Sequence, residues 1–347
     1  MSRPPIPADF LHPVPAAELD VRSADGTRLH VEVHGQPGAP TVVLAHGWTC
    51  STRFWAPVIH RLADRYRVVA YDQRGHGLSE IPPSRVRYST RALAEDLAAV
   101  LTWVVPQGER AVLAGHSMGG MTVMAGAARP EVAERTAAAV LVSTGPSDLV
   151  EELRVVPGAV RPPGVRRFLH RRILRSRLPL GPVGPVTRAA LGYAITGRGV
   201  PAAQVEAAVR IVHACPAGVR ANWAQVLDRL DVRAGLARLA APTSVVVGAE
   251  DRLTPPVHAH RMVAALADPQ GLLLLPGVGH MAPIERPAEI AAEIDRMATA
   301  YLPGVRAAAP ATATAVASNA VAAVAAADAT TGAGATTDTD PERTAVA

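Results

Sequence analysis

The sequence predicts an α/β protein in which a mostly parallel sheet of eight strands carries helices on both faces and an inserted helical cap. Uniformly apolar runs recur along the chain, at residues 41–45, 111–114, 139–142 and 244–247. Such runs suit parallel strands that are covered on both faces. Stretches with helical spacing separate the strands almost without a break, and this alternation is typical of a parallel sheet between helical layers.

The other strands follow from shorter patterns. Alternating apolar and polar residues at 18–23 and 29–34 flank the turn 24–27, which predicts an antiparallel hairpin at the start of the sheet. Two further strands are expected at 67–71 and 272–275. Together with the four apolar runs, these segments make up the eight strands.

Composition divides the chain into four predicted parts. Residues 1–17 are Pro-rich and expected to be loosely ordered, and residues 18–146 with 240–302 form the α/β core. The interval 147–239 holds helical patterns, many Pro and Gly and no convincing strand, so we expect an all-helical cap inserted into the core. The Ala/Thr-rich tail, 303–347, lacks large side chains that could offset its ordering entropy, which predicts disorder.

Composition, charge and cysteine content indicate which kinds of protein this sequence can be. The 347 residues carry a net charge of +5 and are 49% hydrophobic, which fits a globular protein with one large core. Cys50 and Cys215 match no metal-binding spacing, and the N-terminus lacks a secretion-signal pattern, so a reduced, cytoplasmic protein is expected. Two packed thiols are favoured there, with a disulfide as the alternative. No apolar run approaches the roughly 18 residues of a membrane span, and no metal or organic cofactor is predicted.

A serine stands on a tight turn between a buried strand and a helix. Residues 115–120 read Gly-His-Ser-Met-Gly-Gly and follow the apolar run 111–114. The glycines on either side let the chain pass close to its neighbours at backbone angles that a Cβ would resist. This pattern is a nucleophile elbow, which predicts that Ser117 is an exposed nucleophile at the edge of the sheet.

A serine hydroxyl needs a base to take its proton and an acid to orient that base. Asp251 follows the strand 244–247, and His280 follows the next strand. The order Ser, Asp, His places each group after a successive strand, at the carboxyl edge of the sheet where α/β proteins build their sites. Two other acids are alternatives for the orienting role: Glu250, expected to point away, and Asp148, in another loop at the same edge.

Negative charge on a tetrahedral intermediate needs preorganised donors. The backbone N–H of Met118, directly after the serine, and that of Trp48, at the end of the strand 41–45, are the candidates for an oxyanion hole. The indole of Trp48 and the side chain of His116 are also expected to line the substrate pocket, although a merely packed tryptophan is the simpler interpretation.

Five motifs in order along residues 18–301 together resemble the α/β-hydrolase fold family, in particular its cap-bearing serine esterases and lipases. The motifs are His46-Gly47-Trp48, the run 72–79, the elbow 115–120, the segment 248–251 and the run 279–287. The resemblance implies a structural role for 72–79, so His76 is not counted as catalytic, and it places Glu285 and Pro287 at the start of the last helix. Epoxide hydrolases and haloalkane dehalogenases share the frame but use an aspartate nucleophile, and Ser117 argues against both.

The predicted activity is therefore hydrolysis of a carboxylic ester with a small or medium acyl chain, through an acyl-enzyme intermediate. Hydrolysis of a carbon–carbon bond and haloperoxidase-like perhydrolysis are alternatives that use the same Ser-His-Asp triad. An alternative from another class is a ligand-binding protein that keeps the fold and signals through movement of its cap.

The cap contains a strongly basic segment. Residues 151–200 hold ten arginines against Glu151 and Glu152, and residues 164–175 have the pattern of a basic amphipathic helix. The simplest interpretation is a cap helix whose apolar face covers the site while its arginines are solvated. Docking on an anionic lipid surface or an acidic carrier protein is the alternative. Nucleic acid is not expected, because aromatic stacking residues do not accompany the arginines.

Overall fold

An eight-stranded sheet forms the centre of the protein, in agreement with the predicted fold class. The computed structural model describes residues 7–156, 162–178 and 180–305. The strands lie at the predicted positions, several of them extended by one to three residues. They are β1 (Ala17–Arg22), β2 (Arg28–His34), β3 (Thr41–Ala45), β4 (Arg67–Tyr71), β5 (Ala111–His116), β6 (Thr136–Val142), β7 (Thr243–Gly248) and β8 (Pro269–Leu275).

The strand order is β1-β2-β4-β3-β5-β6-β7-β8. β2 runs antiparallel to both β1 and β4, and every other neighbouring pair is parallel. Because β3 and β5 to β8 run in the same direction, their carboxyl ends meet at one edge. The loops that carry chemical groups after these strands are thereby brought together.

Helices connect most of the strands. The α-helices are α1 (Ala56–Leu62), α2 (Thr90–Val104), α3 (Met118–Gly126), α4 (Pro130–Ala133), α5 (Leu149–Glu152), α6 (Pro163–Leu174), α7 (Pro185–Ile195), α8 (Ala202–Ala214), α9 (Ala217–Leu227), α10 (Arg233–Arg238), α11 (Pro256–Ala265), α12 (Ala282–Glu285) and α13 (Pro287–Tyr301). Short 3-10 helices occur at Ala8–Phe10, Thr52–Trp55 and Arg85–Arg87. Within the described ranges, none of the helices is long and apolar enough to cross a membrane.

The sheet is covered on both faces, as the uniformly apolar strands predict. Side chains on one face of β3 and β5, among them Val43 and Leu113, pack into a core with α2 and α3. Their neighbours on the opposite face, among them Val42 and Val112, pack with α1 and α13. Alternate residues of a strand point to opposite faces, so a strand that is apolar throughout supplies both cores.

The described residues between β6 and β7 form helices α5 to α10 and no strand. Two indole groups join this helical insertion to the core. Trp48 Nε1 donates to the Arg220 carbonyl at 3.1 Å, and Trp223 Nε1 donates to the Arg74 carbonyl at 3.1 Å. The insertion is thus held directly over the carboxyl edge of the sheet, where Trp48 lies.

The predictions for the two ends of the chain fall largely on residues that the structure does not describe. Of the Pro-rich segment 1–17, residues 1–6 lie outside the description, Ala8–Phe10 form a 3-10 helix and Ala17 begins β1. Of the tail 303–347, the description covers 303–305. The expected disorder of the tail therefore stays a prediction.

Candidate active site

Ser117 stands at the end of β5, immediately before the first residue of α3. Its backbone has φ 51° and ψ −116°, a conformation that non-glycine residues rarely adopt. Its N–H donates to the Val142 carbonyl at 2.9 Å, and its carbonyl accepts from Thr144 Oγ1 at 2.7 Å. A Cβ on Gly119 would overlap the carbonyl oxygen of Ala45, so the sharp turn depends on glycine there. Ser117 thus stands on the predicted strand–turn–helix element.

His280 and Asp251 contact each other directly. His280 Nδ1 lies 2.9 Å from Asp251 Oδ2 and 3.1 Å from Oδ1. Asp251 Oδ1 accepts the N–H groups of Leu253 at 2.8 Å and Thr254 at 2.9 Å, and Thr254 Oγ1 donates to Oδ2 at 2.9 Å. Burial opposes the charge of Asp251, but His280 and these donors hold the pKa of Asp251 below its usual value. A buried, ionised carboxylate can thus fix the orientation of the imidazole.

The two other candidate acids are bound elsewhere. Asp148 precedes α5 in a left-handed conformation, and its Oδ2 accepts from Ser147 Oγ at 2.8 Å. Glu250 accepts the N–H of Arg198 at 2.9 Å and its Nε at 3.2 Å. Neither carboxylate contacts His280 in the part of the chain that the structure describes. Of the three acids, Asp251 alone has the geometry for the orienting role.

Ser117 and His280 line the same cavity, and no hydrogen bond joins their side chains among the described residues. His116 packs against His280 with ring centroids 4.8 Å apart, and its Nε2 lies 2.8 Å from the His280 carbonyl. Burial, with the charge of His280, lowers the pKa of His116 to about 3, so its ring is neutral and donates to that carbonyl. His116 therefore supports the histidine loop as well as lining the cavity.

The backbone N–H groups of Trp48 and Met118 are the two candidate donors of the oxyanion hole. Neither the Trp48 N–H nor the Met118 N–H donates a hydrogen bond to another residue within the described ranges. The loop that carries Trp48 is tied to the 72–79 segment, because Thr49 N–H donates to His76 Nε2 at 3.2 Å. This contact agrees with the structural role that the resemblance implies for that segment.

The resemblance placed Glu285 with Pro287 at the start of the last helix, but that helix begins at Pro287 and Glu285 has a different role. It ends the short helix α12, and its buried carboxylate accepts three backbone N–H groups: Gly197 at 2.9 Å, Gly279 at 2.9 Å and Met281 at 3.1 Å. Burial raises the pKa of Glu285. The side chain thus ties the residues on both sides of His280 to the helical insertion. The sequence contains Glu285 within the motif 279–287, but its spacing does not show which N–H groups the carboxylate accepts.

The cavity has a volume of about 180 Å³ and a wall that is almost entirely apolar. Besides Ser117 and His280, its floor includes Met121, and the helical insertion contributes Leu149, Leu174, Ile195 and Leu227 among others. Trp48 and His116 also line it, and their role in a substrate pocket stays a prediction. Across the described residues, no three His, Cys, Asp or Glu side chains are grouped so that they could hold a metal ion.

Helix α6 differs from its simplest interpretation. The sequence predicts that its apolar stripe covers the site. In the structure, Val165 is 46% exposed and Phe168 is 61% exposed, whereas Ile173 lines the cavity. The buried side of the helix carries His170 instead, whose Nε2 accepts the Val156 N–H at 3.2 Å. Part of the apolar stripe is therefore left at the surface, while its C-terminal end lines the cavity.

Cys50 and Cys215 are both buried and free, in agreement with two packed thiols. Burial raises the pKa of Cys50 and raises that of Cys215 to about 12. Both side chains therefore remain protonated thiols at neutral pH.

Comparisons with known proteins agree with this architecture. Over 149 residues the chain is 38% identical to the probable oxidoreductase EphD of Mycobacterium tuberculosis, a match that covers 43% of the chain and a quarter (25%) of that relative. It is 30% identical over 293 residues to the pimeloyl-[acyl-carrier protein] methyl ester esterase of Xanthomonas campestris, covering 79% of the chain and 100% of the relative. It is 29% identical over 315 residues to epoxide hydrolase A of Mycobacterium tuberculosis, covering 78% and 94%.

A thermophilic esterase from Thermogutta terrifontis has a similar fold, with a TM-score of 0.65 and 23% identity over 81% of this chain and 97% of that one. The Alpha/beta hydrolase family matches residues 42–293, which include the elbow, the segment that carries Asp251 and the histidine loop. The chain therefore belongs to the alpha/beta hydrolase family.

Proposed function

We propose that the protein is a serine hydrolase that cleaves carboxylic esters of small or medium acyl chains. The observation that carries the proposal is an apolar cavity that contains Ser117 and His280, with His280 bonded to the buried carboxylate of Asp251. A mostly apolar wall suits an acyl chain, and Ser117 and His280 lie where the scissile bond would be held.

In the proposed reaction, His280 Nε2 takes the proton of Ser117 Oγ while that oxygen attacks the ester carbonyl. Asp251 holds the Nδ1–H tautomer, and the N–H groups of Trp48 and Met118 stabilise the developing oxyanion. The imidazolium then gives its proton to the departing alkoxide, leaving an acyl-serine. Water repeats the sequence: His280 takes a proton from water, the hydroxide attacks the acyl group, and Ser117 leaves with the proton.

Named relatives support ester chemistry but also include an epoxide hydrolase. The methyl ester esterase matches most of this chain, and so does epoxide hydrolase A. We favour ester hydrolysis because Ser117 occupies the elbow, where epoxide hydrolases carry an aspartate that opens the epoxide. Carbon–carbon bond hydrolysis, perhydrolysis and ligand binding remain the alternatives, and a panel of esters, ring-fission diketones and peracid assays distinguishes them.

The central test is the Ser117→Ala variant with p-nitrophenyl butyrate as substrate. We expect loss of turnover and of labelling by a fluorophosphonate probe, with an unchanged thermal melting profile. Ser143→Ala is the matched control, because Ser143 is a buried serine at the same sheet edge and its hydroxyl has no hydrogen-bond partner among the described residues. Turnover retained by Ser117→Ala would refute the proposal. A wild-type protein that neither reacts with the probe nor hydrolyses esters would favour ligand binding.

The docking predicted for the basic segment also stays a proposal. Arg166 and Arg172 of α6 form no ion pair among the described residues, and Phe168 lies exposed between them. Retention on anionic vesicles that is lost in high salt would support a lipid surface, and retention on an acidic carrier protein alone would support that partner. Equal retention on neutral and anionic vesicles would contradict electrostatic docking. The cytoplasmic location is likewise a prediction.

A further inference from the structure

Arg220 is a buried cation in the cavity wall. It lies in α9, it is 6% exposed, and it is one of the residues that line the cavity with Ser117. Its Nη2 donates to the carbonyls of Ser176, at 3.3 Å, and Leu178. Within the described residues, Nε and Nη1 donate no hydrogen bond and no carboxylate pairs with the guanidinium. A permanently charged group with free donors therefore borders an otherwise apolar space.

The other charged group in the cavity wall is already neutralised. Asp228 is bound by Arg171, with Nε at 2.8 Å from Oδ1, and by Arg175. Asp228 is therefore neutralised without Arg220, and the described parts of the chain supply no counter-ion to the Arg220 guanidinium. Burying a cation without a partner is costly, and a bound anion would remove that cost.

Arg220 is also hydrogen-bonded to a residue of the proposed reaction centre. Its carbonyl accepts the indole N–H of Trp48 at 3.1 Å, and the backbone N–H of Trp48 is one of the proposed oxyanion donors. The indole of Trp48 borders the space expected for the acyl chain. An anion bound by the guanidinium would therefore share one cavity with an ester held at Ser117.

We propose that Arg220 binds a free carboxylate at the distal end of the acyl chain, so that the preferred substrates are monoesters of linear dicarboxylic acids. The proposal rests on the proposed ester hydrolysis. A guanidinium can hold a carboxylate through two parallel N–H···O bonds, which Nε and Nη1 are free to form. The methylene groups between the two carboxyl groups occupy the apolar part of the cavity.

The test compares mono-p-nitrophenyl esters of adipic, pimelic and suberic acid with the same compounds capped as methyl esters at the distal end. Shorter diacids are avoided because their free carboxylate expels the nitrophenol through a cyclic anhydride. For the wild-type protein at pH 7, we expect kcat/KM to favour one of the free acids over its capped form by about 10- to 100-fold, the range of a charge-assisted hydrogen bond. Equal values across the series would overturn the proposal.

Arg220→Gln keeps donors for the two carbonyls but removes the charge, and we expect the acid-to-capped ratio to fall to about one. Arg220→Lys keeps the charge, and we expect part of the preference to remain. Arg229→Gln is the matched control, because it removes the same charge from an exposed position just after α9 and should leave the ratio unchanged. If Arg220→Gln lowers kcat/KM equally for the free acid and its capped form, Arg220 only supports the loop that carries Trp48.

Direct binding separates this proposal from the proposed hydrolysis. In calorimetry with the Ser117→Ala protein, we expect monomethyl pimelate to bind more tightly than dimethyl pimelate, and the difference to vanish in Ser117→Ala/Arg220→Gln. If wild-type protein hydrolyses no ester yet shows this difference, the proposed function fails while the carboxylate site stands. If esters are hydrolysed and the difference is missing, the carboxylate site fails alone.

Discussion

Replacement of Asp251 by asparagine is a sharp test of the proposed triad, because the surrounding donors determine how the new side chain must lie. Two backbone N–H groups, from Leu253 and Thr254, point at Oδ1. An asparagine keeps these bonds only if its carbonyl oxygen takes the Oδ1 position. Its NH2 group then takes the place of Oδ2 and faces His280 Nδ1, which lies 2.9 Å from Oδ2.

An NH2 group can only donate to Nδ1, so the His280 proton must move to Nε2. In that tautomer the imidazole cannot accept the proton of Ser117. Reversal of the tautomer in a serine triad lowers kcat by about 10⁴, which corresponds to about 5.4 kcal/mol of transition-state stabilisation. The free energy of unfolding should fall by only about 1–3 kcal/mol, because an NH2 group at the Oδ2 position no longer accepts from His280 Nδ1 and Thr254 Oγ1 but can donate to both.

The assay is kcat for p-nitrophenyl butyrate, measured beside a urea unfolding curve for each variant. Asp148→Asn is the matched control: Asp148 lies at the same edge of the sheet, bonds to Ser147 and does not contact His280 among the described residues. We expect Asp148→Asn to retain most of the activity. A larger loss in Asp148→Asn, or a loss below about tenfold in a folded Asp251→Asn protein, would refute the assignment of the acid.

Two further predictions concern the elbow and the response to acid. Gly119→Ala should lower the free energy of unfolding by about 3 kcal/mol or more, because its Cβ would overlap the Ala45 carbonyl. Gly218→Ala is the control, because a Cβ there meets nothing within 4 Å. Equal melting temperatures of the two variants would contradict this reasoning. Burial lowers the pKa of His76 to about 4 and that of His116 to about 3, whereas in the unfolded chain both take up protons below about pH 6.5. For these two rings the unfolded state therefore binds more protons in this window, and each should lower the stability by about 1.4 kcal/mol per pH unit as the pH decreases from about 6.5 to about 4. Burial raises the pKa of Asp72 to about 6, which offsets the contribution of one histidine below that pH. Urea unfolding should therefore show a net fall of about 1.4 kcal/mol per pH unit below about pH 6, and a rise in stability would contradict burial of these rings in neutral form.

Much of the fold was predictable because its signals are local. The strand at 111–116 is apolar on both faces, and a strand with that pattern must be covered twice. The helix at 90–104 shows its buried positions at helical spacing, and Ser89 caps its first turn by accepting from Ala92 N–H. The turn at Ser117 is similarly encoded, because small residues surround it where the backbone must pass closely.

The candidate site was predictable to the extent that parallel strands bring their ends together. That rule placed Ser117, Asp251 and His280 at one edge, but it could not distinguish Asp251 from Asp148, since both follow strands that end there. Thr254 N–H and Oγ1, bonded to Asp251, make the difference. These contacts depend on the path of the loop after β7, and the spacing of residues in the sequence does not predict that path.

The sequence by itself determined the order of strands and helices, the family and the residue types available for chemistry, because hydrophobic periodicity and turn residues act over a few neighbouring positions. Only the tertiary structure decided which arginines of the helical insertion are neutralised. In sequence, Arg171, Arg175 and Arg220 are equivalent cations in helical segments. The first two share Asp228, whereas the third lines the cavity and pairs with no carboxylate of the described residues. The difference arises because ion pairing depends on which helices pack together, and that is set by the burial of surfaces from distant parts of the chain.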